Sequence, residues 1–263
     1  MPSPEPAPAL SRCAVAGALG GLLSGMFGVG GGVVMVPLLI WVARLDQRRA
    51  SATSLAAIIP TAAIGASTYG VRGHLAVGTA AIVAAGAMAG AWAGARVLRK
   101  IKLSVLSWAF VALLAATAGF MAFHTPERSA APPLDLGRGL GLAALGLAMG
   151  LAAGLFGIGG GVIAVPALMG LFGAGDLVAR GTSLLVMAPS AITGTVTNWR
   201  GGLVDPRAGL VTGAAAAAAS LGGAALAFLV SPKTGNTLFA VLLAVSAAQL
   251  AVRAARVARD AGQ

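Results

Sequence analysis

Apolar residues fill long stretches of this chain, and polar residues collect between them. Continuous apolar runs cover residues 14–43, 51–70, 77–95, 103–123, 139–172, 182–199, 208–230 and 237–252. Most approach the roughly 20 residues that a helix needs to cross a bilayer. Two runs are much longer, and both carry the same glycine-rich phrase. The first reads Gly21-Leu-Leu-Ser-Gly-Met-Phe-Gly-Val-Gly-Gly-Gly-Val-Val-Met-Val-Pro37. The second reads Gly150-Leu-Ala-Ala-Gly-Leu-Phe-Gly-Ile-Gly-Gly-Gly-Val-Ile-Ala-Val-Pro166. Twelve of the twenty positions in 21–40 are identical to 150–169 without a gap. At the same offset, Thr53-Ser54-Leu55 matches Thr182-Ser183-Leu184, Pro60 matches Pro189, and Gly65 matches Gly194. The chain is therefore a duplication.

The pattern predicts an all-α integral membrane protein of two homologous inverted repeats. Each repeat holds a glycine-rich re-entrant or broken helical hairpin and about three spanning helices. The expected divisions are an N-terminal tail 1–13, a first membrane repeat 14–124, a linker 125–138, a second repeat 139–257 and a C-terminal tail 258–263. Composition agrees: 58% of residues are hydrophobic and 10% charged, against roughly 25% charged in a soluble domain. The first ten residues carry Glu5 and four prolines without a basic region. They do not resemble a cleaved signal peptide.

The net charge of +11 comes from 18 Lys and Arg against 7 Asp and Glu. These cations sit at the ends of apolar runs, not in a stripe interleaved with aromatics, which argues against nucleic acid. Their distribution bears on topology. Eight simple crossings divide them nine against nine. Re-entrant glycine runs leave Arg72, Arg128, Arg138, Arg180 and Lys233 on one side and the other thirteen on the opposite side. That second division satisfies the positive-inside rule. It makes the halves inverted and both termini cytoplasmic, in a multi-pass inner-membrane protein. Halving a 30-residue run gives legs of about 22 Å each.

Flexible backbone at membrane depth is tolerated where it is buried in protein or lines a cavity. Gly28, Gly30, Gly31 and Gly32, with Gly157, Gly159, Gly160 and Gly161, are placed near the hairpin tips, followed by Pro37 and Pro166. A half-helix starting at each tip would present free N–H groups and a positive dipole end. Two such starts could converge on one anion. Close helix packing is the alternative, and it is the better reading for the spaced pairs Gly21/Gly25, Gly150/Gly154 and Gly86/Gly90/Gly94. Neither copy completes a dinucleotide or P-loop motif.

All seven acidic residues, Asp176 among them, are read as lying in loops or termini. Cation carriers place carboxylates inside the membrane, so a small anion fits better. Thr53, Ser54, Thr182 and Ser183 are candidate hydroxyl donors or helix caps. Tyr69, Asn198 and Trp199 close the second run of each half, as site residues or interfacial anchors. Arg72 and Arg200 are assigned to a vestibule or headgroup position. His74 and His124 read as loop residues. Cys13 is the only cysteine, which excludes an internal disulfide. No cofactor, metal site or nucleophile–base pair is expected, so the chain is not read as an enzyme.

The phrases Gly25-Met-Phe-Gly-Val-Gly-Gly-Gly-Val33 and Gly154-Leu-Phe-Gly-Ile-Gly-Gly-Gly-Val162, the Thr-Ser-Leu segments and Asn198-Trp-Arg-Gly-Gly-Leu203 together resemble the TauE/SafE-type sulfite exporter family. The resemblance runs from Ala14 to Arg256. It departs where Ala52 stands opposite Gly181, and His74 opposite Gly202 in the turn alignment. It implies a permease for sulfite, a sulfonate or a related organosulfur anion, working outward by alternating access with lipid as its surroundings. The alternatives are an anion channel built on the same tips and a non-transporting membrane partner subunit. The oligomeric state is left open.

Overall fold

A computed structural model describes residues 10–123 and 136–260, without the side chains of residues 42, 253 and 256–260. His124, most of the linker with Arg128, and both extreme tails lie outside the described residues. The described chain consists of ten helices: α1 (Leu10–Phe27), α2 (Gly32–Val42), α3 (Gln47–Val71), α4 (Val77–Leu98), α5 (Leu103–Phe123), α6 (Leu136–Phe156), α7 (Gly161–Gly170), α8 (Asp176–Arg200), α9 (Pro206–Leu229) and α10 (Pro232–Asp260). Eight are long and apolar enough to cross a bilayer, while α2 and α7 are short. Residues 136–138, assigned to the linker, begin α6, and α10 takes in residues 258–260.

Local signals set the helix ends. Asp46 caps α3 by accepting the amides of Arg48 and Arg49 at 2.8 and 3.0 Å. Asp205 caps α9 through Ala208 at 3.0 Å, with Pro206 in the first turn. Such caps satisfy amides that have no intrahelical partner.

Both glycine phrases make a hairpin. Gly31 rests against the carbonyl of Gly20, and a Cβ on Gly20 would meet Met35. Fifteen residues of straight helix would separate Gly20 from Met35 by about 22 Å, so α2 doubles back along α1. Gly160 rests on the Met149 carbonyl of α6 in the same way. The legs are unequal, correcting the expectation of two similar halves. With 18 and 11 residues, α1 is about 27 Å long and α2 about 16 Å. The left-handed glycines do begin midway along the apolar run, at Gly28, but α1 starts ahead of that run at Leu10 and α2 starts only at Gly32.

Each half completes the other. Gly17, Gly21 and Gly25 of α1 lie against the backbone of Thr212, Ala216 and Ser220 of α9. Their counterparts Gly146, Gly150 and Gly154 of α6 lie against Val83, Ala87 and Ala91 of α4. From the other side, Gly86, Gly90 and Gly94 meet the carbonyls of Ala143, Leu147 and Leu151. These small-residue faces serve the close packing read from their spacing. Between them, α3 and α8 cross with Leu55 against Gly194 and Gly65 against Leu184. These equivalent helices thus run antiparallel, as an inverted pair requires.

Contacts sort the cations by end. Arg48 donates to the Ile101 carbonyl at 2.6 Å, Asp205 donates its amide to Thr53 at 3.0 Å, and Arg99 reaches the Thr197 carbonyl at 3.5 Å. The starts of α3 and α9, the α4–α5 turn and the end of α8 therefore share one end. At the other, the Ala76 amide donates to Thr182 at 3.0 Å, Gly181 meets the His74 carbonyl, and Gly235 packs on Arg180. Arg180 stands with Arg72 and Lys233, away from Arg48 and Arg99. Eight alternating crossings would have put Arg180 with the latter pair.

Candidate functional site

The two glycine segments lie at the middle of the α3–α8 crossing. Gly28, Gly30 and Gly31 have φ of 71, 79 and 71°, and Gly157, Gly159 and Gly160 have 71, 74 and 83°. That left-handed region is open to glycine with little steric cost. Gly32 abuts Gly157 and Ile158, while Gly161 abuts Gly28 and Val29. The segments therefore run side by side and antiparallel. Their helix starts do not meet head to head on one point. The start of α7 lies beside Gly28, which rests on Arg180, and the start of α2 lies beside Gly157, which rests on Ser51. No side chain caps Gly31 or Gly160, so the leading amides of α2 and α7 stay ahead of the first bonded turn. Pro37 and Pro166 lie in the middle of these short helices, away from the left-handed glycines.

Polar side chains fasten one half to the other. Ser183 donates to the Gly28 carbonyl at 2.9 Å, and Ser54 donates to the Gly157 carbonyl. Thr182 and Thr53 accept the amides that begin α4 and α9. In this conformation all four hydroxyls hold opposite halves together. Between the segments, Ile58 and Met187 occupy equivalent places. A Cβ on Gly30 or Gly159 would overlap Met187 Cε, and Ile58 Cγ2 lies 3.4 and 3.3 Å from those two points. These two apolar side chains lie against both glycine segments near the middle of α3 and α8.

Arg180 is the most consequential residue that the sequence reading assigned to topology alone. It is 4% exposed. Its Nη1 donates to the Met26 carbonyl at 2.9 Å, and Nη2 lies 3.8 Å from Asp176 Oδ2. Asp176 is 1% exposed and opens α8, so its placement in a loop is corrected. Tyr69 is fully buried and donates to the Gly25 carbonyl at 2.9 Å, beside the Arg180 contact. Phe228 packs on Tyr69 and His74 at ring separations of 5.1 and 5.5 Å, and the Arg72 guanidinium sits 4.0 Å over it. Phe228 thus joins Tyr69 to Arg72, and Gly28 stands between the Arg180 backbone and the start of α7. Asn198 is fully buried at the opposite end of the seam, while Trp199 and Arg200 are exposed there. Repeat alignment held a signal for Arg180, because its counterpart in the first half is Ser51, an unlike residue at a matched site.

A duplicated hairpin core, eight long apolar helices and a buried Arg180–Asp176 pair at one end of the crossing belong to a multi-pass helical membrane transporter. The sequence profile described as sulfite exporter TauE/SafE matches residues 2–121 and 142–262. The chain belongs to that family. It is 30% identical over 196 residues to a probable membrane transporter protein of Xylella fastidiosa (strain 9a5c), covering 72% of this chain and 74% of the relative. It is 29% identical over 215 residues to the probable membrane transporter protein YunE of Bacillus subtilis (strain 168), covering 73% and 78%. A shorter match, 34% over 116 residues, covers 41% of this chain and 18% of the probable membrane transporter protein MamO of Paramagnetospirillum magneticum (strain ATCC 700264 / AMB-1). No solved structure matches the chain.

Proposed function

We propose that this protein is a secondary carrier that exports a small sulfur oxyanion, sulfite or an organosulfonate, across the cytoplasmic membrane. The observation that carries this reading is the buried Arg180, whose backbone lies against Gly28 next to the uncapped start of α7 and whose guanidinium bonds the Met26 carbonyl with Asp176 close by. A cation and leading helix amides in a water-poor setting suit a small oxyanion. The family's description supplies sulfur as the element. Ile58 and Met187 form the barrier, and movement of one half against the other exposes Arg180 to each side in turn. The cation-rich end faces the cytoplasm by the positive-inside rule.

Two measurements test this. Proteoliposomes loaded with sulfite should show saturable counterflow of labelled sulfite, with thermal stabilisation by sulfite or a sulfonate and none by chloride. Passive conductance far above carrier turnover would convert the reading to a channel, and absence of any sulfur oxyanion effect would end it. For orientation, Lys233→Cys at an exposed position should react with an impermeant thiol reagent applied to intact cells. Reaction only after lysis would reverse the assigned sidedness.

A further inference from the structure

The two ends of the α3–α8 seam differ in a way that the repeat makes readable. Leu55 faces Gly194, and Gly65 faces Leu184. One turn further along both helices, on the same faces, Ser51 comes opposite Asn198 and Tyr69 opposite Arg180. The duplication pairs Tyr69 with Asn198 and Arg180 with Ser51, so two large side chains at one end correspond to two small ones at the other. At the large end, Tyr69 and Arg180 donate to the neighbouring carbonyls of Gly25 and Met26. At the small end, Ser51 Oγ and both Asn198 Nδ2 and Oδ1 are fully buried with no hydrogen-bond partner among the described residues. Buried polar atoms are normally paired, so three orphans that helix periodicity brings to the same end of one seam point to an occupant.

We infer that the Ser51–Asn198 end binds a small oxyanion that still carries a proton, as a second station of the transport path at the cation-rich end. The inference rests on the function proposed above. The donor and acceptor inventory selects this class. Ser51 and Asn198 Nδ2 offer hydrogens to two anion oxygens, and the anion's own O–H satisfies Asn198 Oδ1. A fully deprotonated dianion has no hydrogen for that acceptor, and an apolar group would leave all three atoms unpaired. Two further features supply positive potential. The start of the 11-residue α2 lies against Gly157, whose other neighbour is the Ser51 backbone, and Arg99 reaches the Thr197 carbonyl at 3.5 Å. The two ends of the path therefore differ, with the buried Arg180–Asp176 pair at one and neutral side-chain donors at the other.

The test uses the full chain in nanodiscs and radiolabelled sulfite at mildly acidic pH, where sulfite carries its proton. Asn198→Asp should weaken binding on the order of tenfold or more, the loss of one hydrogen bond to a charged ligand, compounded by like-charge repulsion. Asn198→Leu should weaken binding similarly while raising the melting temperature of the ligand-free protein, because buried orphans are removed. Ser51→Ala, a smaller change, should weaken binding without loss of folding. Hydrogensulfite should also compete better than methanesulfonate, which has no proton to donate, and Asn198→Leu should erase that preference. Wild-type binding unchanged by all three substitutions, with a raised melting temperature in Asn198→Leu, would mean that the site holds only water; it would leave the Arg180 reading standing. A wild type that binds no sulfur oxyanion would overturn both readings.

Discussion

Arg180→Met should lower stability by about 3–5 kcal/mol, the cost of removing one partner from a buried ion pair, and should abolish sulfite binding. The side chain is 5% exposed and Asp176 is 1% exposed. The substitution withdraws the arginine from Asp176 and removes a donor from the Met26 carbonyl, at a place where water is scarce. The loss is readable as a lower melting temperature in detergent and as absent sulfite protection. The double variant Arg180→Met/Asp176→Leu separates folding from function. Replacing a whole buried pair by apolar groups is often neutral, so the double variant should regain most of the stability and none of the binding. Sulfite binding restored in the double variant would remove Arg180 from the ligand site.

Gly161→Ala should cost about 1–3 kcal/mol or more, as overpacking does, and should displace the start of α7. Its Cβ would stand 2.6 Å from Val29 Cα and 2.7 Å from the Gly28 oxygen. Both neighbours are backbone, so no side chain can rotate away. The two antiparallel glycine segments would have to separate, disturbing the neighbouring bond from Ser183 to the Gly28 carbonyl. Gly119→Ala is the control. That position lies within α5 and has no neighbour within 4 Å of an added Cβ. Alanine there should gain up to about 1 kcal/mol from helix propensity. Equal melting temperatures for the two variants would show that the glycine segments do not touch.

The antiparallel arrangement of the glycine segments also bears on how the site was read. Flexible backbone at the tips is legible, because a run of glycines at matched spacing repeats in both copies. Their approach to one another is not. The sequence suggested two helix starts converging on one anion, whereas each start lies beside the other half's first left-handed glycine. Similarly, Thr53, Ser54, Thr182 and Ser183 were legible as polar groups within apolar runs. Their partners are carbonyls and amides of the opposite half, separated by more than 100 residues. Charge counting groups Arg180 with Arg72 and Lys233, as the contacts do, but it registers only the end at which a cation lies. Whether it meets lipid headgroups or a buried carbonyl depends on the helix packed beside it.

By itself the sequence determined the duplication, the helical membrane class, the glycine breaks and the small-residue faces. Each follows from local chemistry: run length against bilayer thickness, steric freedom without a Cβ, and period along a helix. The tertiary structure alone decided that α1 packs on α9 and α6 on α4, and that Ile58 and Met187 meet both glycine segments. It also decided that the two ends of one seam carry unlike chemistry. In a duplicated chain each small-residue face has two near-equivalent partners, one in its own half and one in the other. Spacing identifies the face, but only the simultaneous packing of both copies selects the partner.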